Sequence, residues 1–200
     1  MQTRMRMVVG LGNPGERFER TRHNAGYAVI DRLAMRWRVE VDRCMHDALI
    51  GTAQRAGEPV LLAKPQTFMN ASGDAVRAVC LQHSVAASEL IVVHDDVDVA
   101  AGRVKLRAGG GTGGHRGVES IIDALGDAEF LRVKVGVGRP PLGIDTADWV
   151  LSEPAVEDGS VLGATCDTAA AAVEIVLDEG PARAMERINQ REEVHGGSPL

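Results

Sequence analysis

The chain reads as a single α/β domain: a central, mixed, twisted sheet flanked by helices over residues 1–191, with 192–200 as a flexible tail. Three observations predict it. Short apolar runs alternate along the chain with stretches of helical period. Leu90-Ile91-Val92-Val93 is apolar throughout, as a strand buried on both faces requires. Apolar residues make up 44% of the 200, enough to bury a core without disulfide or metal staples. No repeat, low-complexity stretch or clear linker divides the chain.

The elements follow in order. Met5 to Gly10 is a first strand, apolar and closed by glycine. Thr21 is placed to cap a helix over roughly Asn24 to Arg38, with Ala25, Ala28, Val29, Leu33 and Trp37 on one stripe. Asp47 to Gln54 and Pro59 to Ala63 make a strand pair turning around Gly57. Ser72 to His83 is a helix with Val76, Val79 and Cys80 inward. Leu90 to Val93 is a central strand, and Arg103 to Arg107 alternates as another. Gly114 to Leu125 is helical, and Phe130 to Val137 is a strand with Val133, Val135 and Val137 on one face. Gly138 to Ala147, with Pro140-Pro141 and Gly143, reads as a mobile loop. Two helices close the fold, about Val156 to Leu177 and Pro181 to Arg191.

Bulk properties narrow the function. No unbroken apolar run approaches the ~20 residues that cross a bilayer. The apolar stretch after the basic start is too short for a signal peptide. Cys44, Cys80 and Cys166 are odd in number and widely spaced, as in reduced structural thiols, so the expected location is the cytoplasm. The net charge of −6 is unevenly spread. Residues 1–144 hold 19 basic against 16 acidic side chains, and residues 145–200 hold 3 against 12. A local basic face on an acidic protein is therefore open, as is a solvated surface with ordinary charge scatter.

Gly10-Leu11-Gly12-Asn13-Pro14-Gly15 fits the dinucleotide fingerprint in spelling. Pro14 sits inside it, and the polar Glu16 to Arg20 delays any helix whose N-terminus could meet a pyrophosphate. The better reading is a tight turn presenting Asn13 over the end of the first strand.

Four side chains carry chemistry. His23, at a helix start where the dipole disfavours a second positive charge, suits a general base. Asp95, at the carboxyl end of a strand, can orient an imidazole and stabilise the cation formed in turnover. Asn13 and Asn70 are uncharged donors for a carbonyl or a developing oxyanion. Each has a plainer reading: a packed histidine, a turn aspartate, a helix cap at Asn70. His23, His94, His115 and Asp95 could also form a metal-ligand set, but no spacing among them favours zinc, and neither metal nor cofactor is expected. Gly109 to Gly117 is a flexible loop whose amides can meet an anion. Arg103, Lys105 and Arg107 share one strand face, and Arg132 and Lys134 another, as a phosphate-binding surface or as solvated strand edges.

Taken together, G-L-G-N-P-G, T-R-H-N-A-G, K-P-Q-T-F-M-N-A-S-G, V-V-H-D-D-V-D, G-G-G-T-G-G-H-R-G and R-V-K-V-G-V-G-R-P resemble, in this order over residues 7–140, the bacterial peptidyl-tRNA hydrolase family. The resemblance implies a monomeric, metal-independent esterase with a mixed sheet. Its reaction is hydrolysis of the ester joining a peptide to the 3′-terminal ribose of tRNA. It implies His23 as base, Asp95 as its partner, and Asn13 and Asn70 as positioners of peptide and water. It implies Phe18, Met69, His115 and Arg116 at the substrate. Arg103, Lys105, Arg107, Arg132 and Lys134 would lie toward tRNA, with Arg107 and Lys134 matching positions that grip the 5′-phosphate. One departure stands out: the family pattern expects asparagine where this chain has Arg116, which cannot accept a hydrogen bond and is expected to turn toward phosphate. A catalytically silent RNA-binding relative, like plant organellar splicing factors of similar fold, would keep the basic face and could lose the dyad. A generic small-ester hydrolase would show no salt dependence.

Overall fold

A computed structural model describes residues 5–190, so Arg191 and the tail at 192–200 lie outside the described residues. In chain order the elements are β1 (Arg6–Gly10), α1 (Ala25–Trp37), β2 (Arg43–Met45), β3 (Ala48–Arg55), β4 (Glu58–Pro65), α2 (Ser72–His83), β5 (Leu90–Asp96), β6 (Val104–Ala108), α3 (Arg116–Leu125), β7 (Leu131–Gly136), α4 (Thr146–Leu151), α5 (Val156–Glu179) and α6 (Pro181–Asn189). The strands form one mixed sheet in the order β2-β3-β4-β1-β5-β7-β6. The central neighbours β4, β1, β5 and β7 run parallel, while β2, β3 and β6 pair antiparallel at the flanks.

Strand alternation divides the core into two layers. Val8, Val60, Leu62, Ile91, Val93, Leu106, Val133 and Val135 meet α1, α5 and α6 on one face. Met7, Val9, Leu61, Leu90 and Val92 meet α2 and α3 on the other. No strand residue of β6 or β7 joins this second cluster, so that face of their pairing is left to polar side chains. Lys105 lies opposite Lys134 and Arg107 opposite Arg132 in register.

Glycine brings the functional turn close to the sheet. A Cβ on Gly26 would lie 2.3 Å from the Leu11 nitrogen, and one on Gly10 would lie 2.2 Å from the Gly26 carbonyl oxygen. Helix α1 therefore starts directly against the end of β1. No helix starts within Gly10 to Gly15. Gly10 and Gly12 serve the close approach of α1, and Gly15, at φ 106°, serves the turn rather than a pyrophosphate.

Several elements differ from the sequence reading. Thr21 precedes a 3-10 turn (Arg22–Asn24) without capping it, and its hydroxyl donates instead to the Phe18 carbonyl at 2.8 Å. Strand β2 is too short to show a period. Strand β5 runs on through His94, Asp95 and Asp96, because its hydrogen-bond ladder with β7 tolerates polar residues where the sheet opens. Helix α3 starts at Arg116, not Gly114. The end of the expected loop at 138–147 is helical: α4 starts at Thr146, capped by Asp145 accepting from the Ala147 amide at 2.8 Å.

The acidic last quarter is matched within the molecule. Arg32 and Arg36 of α1 pair with Asp167 and Glu174 of α5 at 2.9 and 3.1 Å, and Arg55 of β3 pairs with Asp178. Helix α5 is, by length and composition alone, long and apolar enough to cross a membrane. Its interrupting acids break the single apolar run that the sequence reading looked for. Cys166, Ala169, Ala170, Ala172, Val173, Val176 and Leu177 are buried, so much of that apolar surface is spent on the core.

Candidate active site

The carboxyl end of β5 brings together side chains from three distant segments. The Asp95 carboxylate is almost fully buried. It lies 2.9 and 3.0 Å from His23 Nδ1 and 2.9 Å from His115 Nε2. His115 is the N-cap of α3, and its Nδ1 accepts from the Gly117 and Val118 amides at 3.2 and 3.3 Å. An accepting Nδ1 carries no proton, so His115 holds its proton on Nε2 and donates it to Asp95. Burial alone would raise the Asp95 carboxyl. The facing His115 and His23 rings outweigh it and hold the group far below the usual carboxylate range. Asp95 in turn accepts from His23 Nδ1–H, leaving Nε2 as the nitrogen with the lone pair.

His94 supports this cluster from below. Its ring packs edge-on to His115 at 4.7 Å between centroids, and its Nδ1–H donates to the Asp95 carbonyl at 2.7 Å. Burial first, and then the neighbouring His115, push its pKa down to about 3, so it stays neutral.

Asn13 is buried with a fixed orientation. Its Oδ1 accepts from the Met69 amide at 2.8 Å, which leaves its NH2 as the available donor. Asn24, which sequence reasoning missed, clamps the same residue: its Oδ1 accepts from the Asn13 amide and its Nδ2 donates to the Asn13 carbonyl, both at 2.9 Å. The only sequence signal for it is a carboxamide directly after His23. Asn70 lies in a 3-10 turn (Met69–Ala71), the residue before α2 is Ala71, and the Gly73 amide at the helix start donates to Ser120 Oγ at 2.9 Å, so Asn70 is not the helix cap that the plainer reading offered.

His23 stands where two cavities meet. One, of about 310 Å³, is lined by Asn13, Phe18, Phe68, Met69 and Asn70, with no carboxylate. The other, of about 300 Å³, is lined by Asp95, Asp96, His115 and Asp145. Arg116 is exposed and borders both. Helix α4 supplies Ala147 and Val150 to both cavities. A substrate with two dissimilar arms on either side of a reacting carbonyl fits this arrangement.

The predicted basic residues do not behave alike. Lys105 and Arg107 are exposed on β6. Arg103 is half-buried just before that strand, with its main chain bonded to Ala100 and Gly136. Lys134 donates to Asp96 at 2.6 Å. Arg132 departs from the expectation of a surface contact: it is only 2% exposed and its guanidinium donates to the Gly110 and Gly111 carbonyls. The strand period put it on the right face, but the glycine-rich loop folds over it.

His23, Asp95 and His115 offer ligand atoms within 4.8 Å of one another, which is close enough to share a cation. Each of those atoms is already used in the Asp95 hydrogen bonds, so a cation there would have to displace two imidazole protons. His94, the fourth member of the set considered from sequence, turns its Nδ1 to a backbone carbonyl instead.

Comparison with known proteins gives the family. The family described as peptidyl-tRNA hydrolase matches residues 7–195. A peptidyl-tRNA hydrolase of Moorella thermoacetica is 45% identical over 92% of this chain and 97% of its own length. One of Syntrophomonas wolfei is 43% identical over 92% of this chain and all of its own. The crystal structure of peptidyl-tRNA hydrolase from Acinetobacter baumannii superposes with a TM-score of 0.87 at 29% identity, covering 94% of this chain and 96% of that one.

Proposed function

The chain belongs to the peptidyl-tRNA hydrolase family, and from that premise we propose how its groove cleaves the ester between a peptide and the 3′-terminal ribose of tRNA. One observation carries the reading: His23 stands where the two cavities meet, with Nδ1 tied to a buried carboxylate. A water held at His23 Nε2 loses a proton to it and attacks the ester carbonyl. The Asn13 NH2, fixed by the Met69 amide, and the Asn70 carboxamide donate to the developing oxyanion. The tetrahedral intermediate collapses, and the ribose oxygen leaves with the proton that His23 had taken. Asp95 stabilises the imidazolium throughout, and His115 keeps Asp95 ionised and oriented. The ester is already activated, so a positioned base worth ~10²–10⁴ in rate is a sufficient chemical device.

Phe18 and Met69 line the substrate groove, and Arg116 meets phosphate near the 3′ end of the nucleic acid. Lys105 and Arg107 contact the acceptor stem, with Arg103 and Lys134 contributing beside them. Arg132 acts indirectly by bracing the glycine-rich loop. The enzyme works as a cytoplasmic monomer. A catalytically silent RNA-binding role is not favoured, because the compared relatives are named as hydrolases and the dyad is intact.

Single-turnover hydrolysis of N-acetylaminoacyl-tRNA by His23→Ala tests the reading. The rate falls at least ~100-fold. Retention of more than about a tenth of the wild-type rate rejects His23 as the base.

A further inference from the structure

Arg22 precedes His23 in the same 3-10 turn, and its guanidinium is buried although it lies beside a groove. A buried cation is tolerated only when its donors are satisfied, so its partners show what it holds. Every side-chain partner lies between residues 149 and 158. The guanidinium stacks on the Trp149 ring at 3.5 Å from the centroid. It donates to Ser152 Oγ at 2.8 Å and pairs with Asp158 at 3.4 Å. The Arg22 amide donates to the Ser152 carbonyl at 3.4 Å. Trp149 is itself tied to the start of the loop before α4, through Nε1–H donating to the Gly138 carbonyl at 3.0 Å.

Helix α4 thus has two faces with different jobs. Ala147 and Val150 line the cavities on either side of His23, while Trp149 faces Arg22. Beside this stack lies a further cavity of about 190 Å³, bordered by Arg22, Trp149, Asp158 and Leu162. Close packing on that side does not immobilise the indole ring. The Arg22 cation and the single bond from Nε1–H to the Gly138 carbonyl do.

We propose that Arg22 is a positioning residue for the hydrolysis: it docks α4 against the turn that bears His23 and so sets the groove wall along which the acyl chain lies. The proposal rests on the groove being the substrate site, as argued above. It makes the distance between wall and base a property of one stacked pair, and it concerns chain binding rather than proton transfer.

The test compares KM and kcat for N-acetylaminoacyl-tRNA and a tripeptidyl-tRNA. Arg22→Gln raises KM for the tripeptidyl substrate about tenfold, and kcat falls by less than that. The shorter acyl group, which touches less of the wall, shows a smaller rise in KM. Arg22→Lys does not rescue, because an ammonium cannot stack as a plane and bond Ser152 together. Trp149→Ala reproduces the KM effect, Trp149→Phe keeps most of the wild-type value, and combining Arg22→Gln with Trp149→Ala adds less than a further twofold. In a Trp37→Phe background, acrylamide quenches Trp149 fluorescence more readily once Arg22 is replaced.

A collapse of kcat with KM unchanged on both substrates overturns the proposal, as does wild-type KM in Trp149→Ala. If Arg22→Gln does not fold, the contrast between Trp149→Ala and Trp149→Phe decides. Failure of the wild-type enzyme to cleave either substrate would instead overturn the functional reading on which the proposal rests.

Discussion

Strand β5 ends on two adjacent carboxylates that the alternation of the strand turns in different directions, and they build different kinds of site. Asp95 is buried and receives hydrogen bonds from two imidazoles. Asp96 is more open and receives an ammonium, Lys134 at 2.6 Å. Burial would raise Asp96 as well, but the Lys134 bond prevails and lowers it. The first arrangement keeps one charge among donors that need not be charged, so His23 can gain and lose a proton without breaking an ion pair. The second offsets a lysine's charge within the protein, so the field of the basic face rests chiefly on Lys105 and Arg107, with smaller parts from Arg103 and Lys134.

Exchanging each carboxylate for its amide is the sharpest way to separate the two regions. Asp95→Asn keeps the shape, but its NH2 opposes one of the two imidazole N–H groups and the charge that stabilises imidazolium is gone. The single-turnover rate falls at least ~100-fold. Asp96→Asn releases Lys134 and leaves the His23 cluster intact, so its rate stays within about threefold of wild type at low salt. Comparable losses in both variants would erase the distinction.

Asn13→Asp tests the neutral side of the groove. The carboxylate still accepts from the Met69 amide. It no longer donates to an oxyanion and instead sets a negative charge beside it. The expected loss is on the order of 10²-fold in kcat, with little change in thermal stability. A variant that keeps its rate would mean that Asn13 only supports the Met69 turn.

Much of this region was legible in sequence because its residues are chemically unusual for their places. A histidine at a helix start, an aspartate at the end of a strand and an asparagine between glycines each stand out alone. What the sequence could not show is how they are held. Asn24 reads as a generic polar residue until its clamp on the Asn13 backbone is seen. His115 reads as a loop residue until its ring is found capping α3. The basic face was half legible: the strand period groups Lys105 with Arg107, but burial of Arg132 depends on where a distant glycine-rich loop lies. Helix α4 escaped because six residues after a Pro-Gly-rich stretch give almost no period.

The buried cluster also has a pH signature. His94 falls from its ordinary 6.5 to about 3 in the folded protein. Between those values the unfolded chain binds a proton that the native state refuses, so stability drops as the solution is acidified. The slope where only the unfolded state is protonated is about 1.4 kcal/mol per pH unit. Asp95 acts with the same sign, since its lowered pKa stabilises the fold above the ordinary carboxylate value, but it matters only below that value of 3.8. His83, also lowered by burial, shares the direction. Urea titrations at several pH values, run on wild type and His94→Asn, isolate the His94 part. The variant, whose side-chain amide can still reach the Asp95 carbonyl, flattens the curve between 6.5 and 4. An unchanged slope would place the acid sensitivity elsewhere.

The smallest effects belong to the exposed strip. Lys105→Gln and Arg107→Gln each remove one charge and little packing, since both side chains stand in solvent. Each raises KM for full-length peptidyl-tRNA severalfold and lowers the slope of log(kcat/KM) against log[salt] by about one. Neither alters the rate on an N-acetylaminoacyl-adenosine, which has no acceptor stem to reach β6. Arg132→Gln breaks that pattern. It releases the Gly110 and Gly111 carbonyls, so it lowers thermal stability and loosens the loop leading to His115 before it affects any contact with RNA. If Arg132→Gln instead reduced the salt slope by one with no loss of stability, its side chain would have to swing out of the loop to meet phosphate. The strip would then extend across both strands, as the sequence period alone implies.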